Sequence, residues 1–204
     1  MPFSEKIKEL GLEGTQRVLS QFLITAWGMF QTGIYLYRLV NHPIFFLEFA
    51  CEVHGNVCLA SVVVTPTLDW KLHAFGVLSE FDGNNEGSTG PMLQYEWVVG
   101  AQYKPMELTK SDWTAIRKSP PYAIDSCGLG CLIYELFSGT KLAKTEELRN
   151  TSSIPKSLLP DYQKLLSSTP PRRMNTSKLI ENSEYFQNRL VETIQIMEIL
   201  SLKD

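Results

Sequence analysis

The sequence predicts a mainly α fold carrying a small β-hairpin. Three observations lead there. First, a strongly apolar run from Ile124 to Phe137 follows Pro120-Pro121 and stops at Ser138-Gly139. That is the punctuation of a buried helix with glycine at its C-cap. Second, two short β-type runs, SVVVT (61–65) and WKLHAF (70–75), flank Pro66, Thr67, Leu68 and Asp69, a hairpin signal. Third, the remaining apolar segments have helical spacing, and no internal repeat is visible. With 204 residues, 44% hydrophobic and 20% charged, the chain makes one domain or a large part of one and can bury a core.

Taken in order, residues 3–12 read as a short charged amphipathic helix ending near Gly11 or Gly14. Residues 18–40 read as a long apolar helix. Its stretch Val18 to Tyr37 has no charged residue and lies between Arg17 and Arg38, a length that suits a membrane span. Its content of Ser20, Gln21, Thr25, Gly28, Gln31, Thr32 and Gly33 argues instead for a core helix that is apolar all round. Pro43 breaks it, and IFFLEFACEV (44–53) suits either strand or helix. DGNNEGSTGP (82–91) is a loop by composition. Residues 144–150 form a short helix, and Pro160 opens another at its first turn. Thr176 caps the segment SKLIENS, and Ser183 caps a last helix with Leu190, Ile194, Met197 and Leu200 on one face.

Composition narrows the function classes. A net charge of −3 gives no broad basic surface for direct nucleic-acid or anionic-lipid binding. Cys51, Cys58, Cys127 and Cys131 form no secreted-type disulfide framework, and the start MPFSEKIKEL lacks a signal-peptide pattern. A reducing, cytoplasmic setting follows. Cys127 and Cys131 share a helix face but have no matching second pair, so they read as buried thiols and no metal or other cofactor is expected.

The run Asp125-Ser-Cys-Gly-Leu-Gly130-Cys-Leu-Ile-Tyr-Glu135-Leu-Phe-Ser-Gly139 resembles the central helix of the C-terminal lobe of protein kinases, D-x-W-S-x-G-x-x-x-x-E-x-x-x-G. Cys127 departs by standing at the Trp position. Tyr103-Lys-Pro-Met-Glu107 resembles the Tyr-x-Ala-Pro-Glu stretch that closes the activation segment, and Arg173 stands where kinases keep an Arg. The resemblance implies structural roles for Glu107, Asp125, Gly130 and Arg173. Glu107 and Arg173 would form a buried ion pair, and Asp125 would hold the catalytic-loop backbone. Residues 77–102 would then be activation-loop-like. A phosphate on Ser88 or Thr89 would lack its usual Arg receptor, because Gly55 stands there.

The resemblance also implies lost chemistry. The catalytic-loop signature His-Arg-Asp-x-Lys-x-x-Asn reads His54-Gly55-Asn56-Val57-Cys58-Leu59-Ala60-Ser61, and the metal-binding Asp-Phe-Gly reads Ala74-Phe75-Gly76. Asn56 has no basic lone pair at neutral pH, Cys58 removes a fixed positive charge, Ser61 is a weaker metal ligand, and Ala74 is no ligand at all. His73 reads as a strand residue. Loss of a positioned base costs on the order of 10²–10⁴ in rate. Loss of the Mg²⁺ ligand removes the main charge neutraliser.

Further wording is similar to the Scy-one-like, or N-terminal kinase-like, pseudokinase family and particularly its plant members: Val53-His-Gly-Asn-Val57, Ala123-Ile-Asp-Ser, Leu148-Arg-Asn, Ile154-Pro-Lys and Phe186-Gln-Asn-Arg-Leu-Val-Glu-Thr193. The resemblance implies a C-lobe-only piece (1–204), with no N-lobe to hold nucleotide and an end ahead of the family's helical repeats. It implies a catalytically inactive scaffold in vesicle trafficking, cytoplasmic or Golgi-associated. Its partners would be proteins, vesicle-coat components among them, with at most peripheral membrane association. Residues 18–52 depart from the family pattern as an atypical apolar segment, expected from an unusual exon junction. An atypical ATP-dependent kinase, or a truncated non-functional product, are the alternative readings.

Overall fold

The computed structural model describes residue 44 and residues 52–64, 70–80 and 95–188. Expectations for 3–12, 18–40, 66–69, 82–91, Ser88, Thr89 and the helix face beginning at Leu190 fall outside the described residues.

Within them the fold is mainly helical, built on one central helix. The apolar run becomes α3, Ala123–Ser138, after two short helices, α1 (Met106–Thr109) and α2 (Trp113–Lys118). The proline pair sets the start of α3, where the Ala123 amide already donates to the Pro120 carbonyl at 3.0 Å. The helix ends at Gly139, which takes a left-handed conformation with φ 67° and closes on the Glu135 carbonyl. Every residue from Ala123 to Glu135 is buried. A helix apolar all round must be packed on all sides. Leu129, Leu132 and Ile133 meet Leu158, Tyr162 and Leu165 of the region around α4 (Leu159–Leu165), together with Leu179 of α5 (Thr176–Asn182) and Phe186. A smaller cluster joins Val53, Leu108, Ile116 and Ile124, with Trp113 against it.

Four short strands form two separate two-stranded pairs among the described residues. β2 (Val62–Val64) pairs antiparallel with β3 (Trp70–Leu72), Val63 opposite Lys71, as the hairpin signal predicts. A second antiparallel pair was not expected: β1 (Glu52–Val53) pairs with β4 (Ser79–Glu80). Two-residue strands carry no periodicity, so this pairing is set by tertiary proximity alone. It also settles the end of the 44–53 run as strand.

The short helix expected over 144–150 is present as a 3₁₀ helix, Thr145–Arg149. Two local expectations are corrected. Asn175, not Thr176, caps α5, its Oδ1 accepting the Lys178 amide at 3.0 Å. Ser183 precedes the helical residues 184–188, and its carbonyl accepts the Gln187 amide, but its buried hydroxyl makes no hydrogen bond.

Gly128 lets α3 pack closely against residue 57. A Cβ at Gly128 would stand 2.5 Å from the Val57 carbonyl oxygen and 2.9 Å from its Cβ. Gly128→Ala should therefore destabilise the chain by about 1–3 kcal/mol, as overpacking against backbone does. Gly76→Ala meets nothing within 4 Å and should stay within about 0.5 kcal/mol. Urea denaturation of both variants checks the contrast.

Candidate functional site

The kinase-like positions converge on the N-terminal end of α3. Asp125, buried in its first turn, accepts the His54 amide at 2.7 Å and the Gly55 amide at 2.8 Å. One carboxylate thus fixes the loop 54–61 on the helix. Burial is the dominant influence and pushes the Asp125 carboxyl up to about 6, against the two amides, which favour its charged form.

His54 is wholly buried and its orientation is defined by its partners. Nε2 lies 2.8 Å from the His73 carbonyl, which only accepts, and Nδ1 takes the Asn56 amide at 3.3 Å. The ring is therefore neutral with the proton on Nε2. Burial holds its pKa below the usual value. Phe75 meets the ring edge-on, centroids 5.0 Å apart, while remaining about half exposed. His73 lies just past β3, its amide donating to the Ser61 carbonyl at 2.8 Å.

The remaining loop positions are turned to local use. Ser61 accepts the Cys58 amide at 3.1 Å and donates its hydroxyl to the Cys58 carbonyl at 2.8 Å. It is buried. Its reading as a weak metal ligand needs correction, since both functions of the hydroxyl are taken up by one neighbour. Asn56 is partly exposed, its Oδ1 3.7 Å from the buried Cys58 thiol. Ala74 is exposed and left-handed, φ 66° and ψ 48°, a conformation strained for a residue with a Cβ. Gly76 is exposed within the 3₁₀ turn Phe75–Val77.

A second polar centre braces the same helix from the side. Arg173 binds Glu107 through two nearly parallel bonds, 2.5 Å to Oε1 and 3.0 Å to Oε2. Its NH1 also donates to the Ala123 carbonyl, and its Nε to the Ser167 carbonyl, both at 2.9 Å. Gly130 lets Leu166 approach, since a Cβ there would lie 2.6 Å from a Leu166 methyl.

Sequence reading missed three contributors. Gly128 admits Val57, as described above. Ser126 donates to the Met174 carbonyl at 2.8 Å and ties α3 to the segment before α5. Glu135 accepts the Tyr103 hydroxyl at 2.5 Å, the Leu142 amide at 2.8 Å and the Leu59 amide at 3.3 Å. Two signals pointed to Glu135, a charged residue in the middle of an apolar helix and its place at the Glu of the kinase-like motif, but neither names its donors. Among the described residues, no cluster of three or more His, Cys, Asp or Glu side chains is placed to hold a metal ion. No described helix is long and apolar enough to cross a membrane.

The chain is 35% identical over 180 residues to the probable inactive serine/threonine-protein kinase scy1 of Dictyostelium discoideum, covering 88% of this chain and 20% of that protein. It is 24% identical over 192 residues to the protein kinase-like protein SCY1 of Saccharomyces cerevisiae, covering 82% of this chain and 23% of that protein. The chain thus spans about a fifth of the length of the curated relatives it matches. No family model matches it.

Two measurements probe the site. Glu107→Ala should cost about 3–5 kcal/mol, because it leaves the Arg173 cation buried and unpaired. Equilibrium unfolding reads this directly. The second concerns pH. Asp125 binds its proton more tightly folded, near 6, than at its ordinary value of 3.8. Its protonation thus favours the folded state, a contribution fully present below about pH 3.8 and lost as pH rises through about 6. Asp125→Asn should remove that slope from a stability–pH profile. It should also lower stability by about 1–3 kcal/mol, since the Asn NH₂ turns a donor toward one of the two amides.

Proposed function

The chain belongs to the Scy1-like, kinase-like family over the segment that matches, and on that premise we propose that it is a pseudokinase module that works by binding proteins. Its proposed setting is vesicle trafficking at the cytoplasmic face of the Golgi, with vesicle-coat components among its partners and peripheral membrane association at most.

One contrast carries the reading. Asp125 still grips the loop through two short bonds, yet the loop presents Asn56 where the base would be and Ala74 where the metal ligand would be. An amide takes no proton from a hydroxyl at neutral pH, and a methyl group binds no cation. Phosphoryl transfer relies on positioning and on charge stabilisation by metal, and neither group supplies it. The name of the Dictyostelium relative, a probable inactive kinase, points the same way. The retained frame supports a folded surface that can be recognised. The vesicle-coat setting rests on the resemblance to the family.

The expected result is no shift in melting temperature with Mg-ATP at concentrations on the order of 1 mM, against the rise that mass action would give a binder. Restoring Asn56→Asp together with Ala74→Asp should still give no phosphate transfer to a generic protein substrate, because Ser61 and Cys58 remain bonded to each other. A clear Mg-ATP shift in the unaltered chain would favour the atypical kinase reading. Binding of purified vesicle-coat subunits, followed by surface plasmon resonance, tests the partner class; no binding by a cooperatively melting chain counts against it.

A further inference from the structure

The described residues contain two places where a hydroxyl residue precedes proline, and the structure separates them. Ser119-Pro120-Pro121-Tyr122 sits at the end of α2. There the Ser119 hydroxyl donates to the Ala115 carbonyl at 2.7 Å, and the residue is half-buried. Thr169-Pro170-Pro171-Arg172 lies in the loop between α4 and α5. Thr169 is exposed, and its hydroxyl makes no hydrogen bond among the described residues. Its backbone is extended, φ −101° and ψ 106°, the conformation that a following proline imposes. Arg172, three residues on, is exposed as well.

An enzyme that reads a Pro directly after its acceptor needs an extended, accessible hydroxyl residue and uses a cation three places later as a second handle. Thr169 meets each requirement, whereas Ser119, although extended at φ −86° and ψ 154°, is half-buried with its hydroxyl bonded to Ala115 and has Tyr122 in place of a cation three residues on. We propose that Thr169 is a phosphorylation site for a proline-directed serine/threonine kinase with a basic preference three residues downstream. In the transfer, Thr169 Oγ1 attacks the γ-phosphorus of ATP. The new O–P bond forms as the bond to the β-phosphate oxygen breaks, ADP leaves, and the hydroxyl proton is released to the kinase's base.

The neighbourhood says what the phosphate would meet. Arg173 is buried, and Glu107, Ala123 and Ser167 already take four of its five N–H groups. Arg172 is the cation next to hand. The two residues before Thr169, Ser167 and Ser168, line an open groove of about 480 Å³ that also carries Lys104, Arg149 and Glu146. A phosphate on Thr169 therefore adds roughly two negative charges close in sequence to Arg172 and to the two serines that line this groove.

The test uses the full chain in its native state, verified by a cooperative melt, with a cyclin-dependent kinase complex, Mg²⁺ and ATP, read by intact mass and peptide mapping. The expected result is phosphate on Thr169, absent in Thr169→Ala. In Arg172→Ala the rate should fall about tenfold, as for one lost charge-assisted contact. Phosphate confined to Ser119 overturns the proposal. So does a native chain that takes no phosphate on Thr169, including one that takes it there only after urea unfolding.

Discussion

Arg173 joins three segments that are far apart in sequence, and the placement of the central helix depends on it. Its guanidinium holds Glu107 from α1, the carbonyl of Ala123 at the start of α3, and the carbonyl of Ser167 beyond α4. A buried cation is tolerated only when its donors are all directed at acceptors. The geometry is therefore nearly all-or-none: the three segments assemble together around the charge. Once Ala123 is fixed, Asp125 lies two residues along and faces the loop amides. At the far end Glu135 repeats the device with neutral donors. Apolar burial supplies most of the driving force for packing α3, but these polar clamps set its position.

That arrangement separates two kinds of constraint. Asp125, Glu107, Arg173 and Glu135 are buried and each carries at least two hydrogen bonds. Replacing any one strands a polar group inside the protein, so folding itself holds them in place. Asn56 and Ala74 sit at the exposed edge of the same site. A change of side chain there is nearly free for folding and decisive for chemistry. A kinase-like frame can thus lose its reactive groups without losing its shape. Ala74 still follows a left-handed path that suits Gly or Asn better, so the surrounding turn is held by the frame.

The central helix was legible because one strong signal coincided with its punctuation: a continuous apolar run between Pro120-Pro121 and Gly139. The pairing of β2 with β3 was legible because Val62, Val63 and Val64 are β-branched and the sequence Pro66-Thr67-Leu68-Asp69 carries a turn signal. The β1–β4 pair was not, since Ser79-Glu80 has no strand pattern and its partners lie 26 and 28 positions away. Thr176 looked like a cap, yet Asn175 is an equally good capping residue one position earlier, and boundaries at this resolution of reasoning are decided by the fold. The site's frame positions could be named from motif order. The close approach at Gly128, the reach of Ser126 to Met174 and the three donors on Glu135 arise only when distant segments meet, and no local pattern encodes them.

The reciprocal bonds between Ser61 and Cys58 have a thermodynamic meaning for the loop as a whole. A site built to receive an ion keeps lone pairs and dipoles directed at an empty position, and the incoming ligand relieves that tension. In this loop the polarity is closed upon itself: hydroxyl to carbonyl, amide to hydroxyl, imidazole to a neighbouring main chain. A guest would have to open bonds before making any. At these positions the loop is close to its electrostatic resting point, its polar groups already turned toward one another.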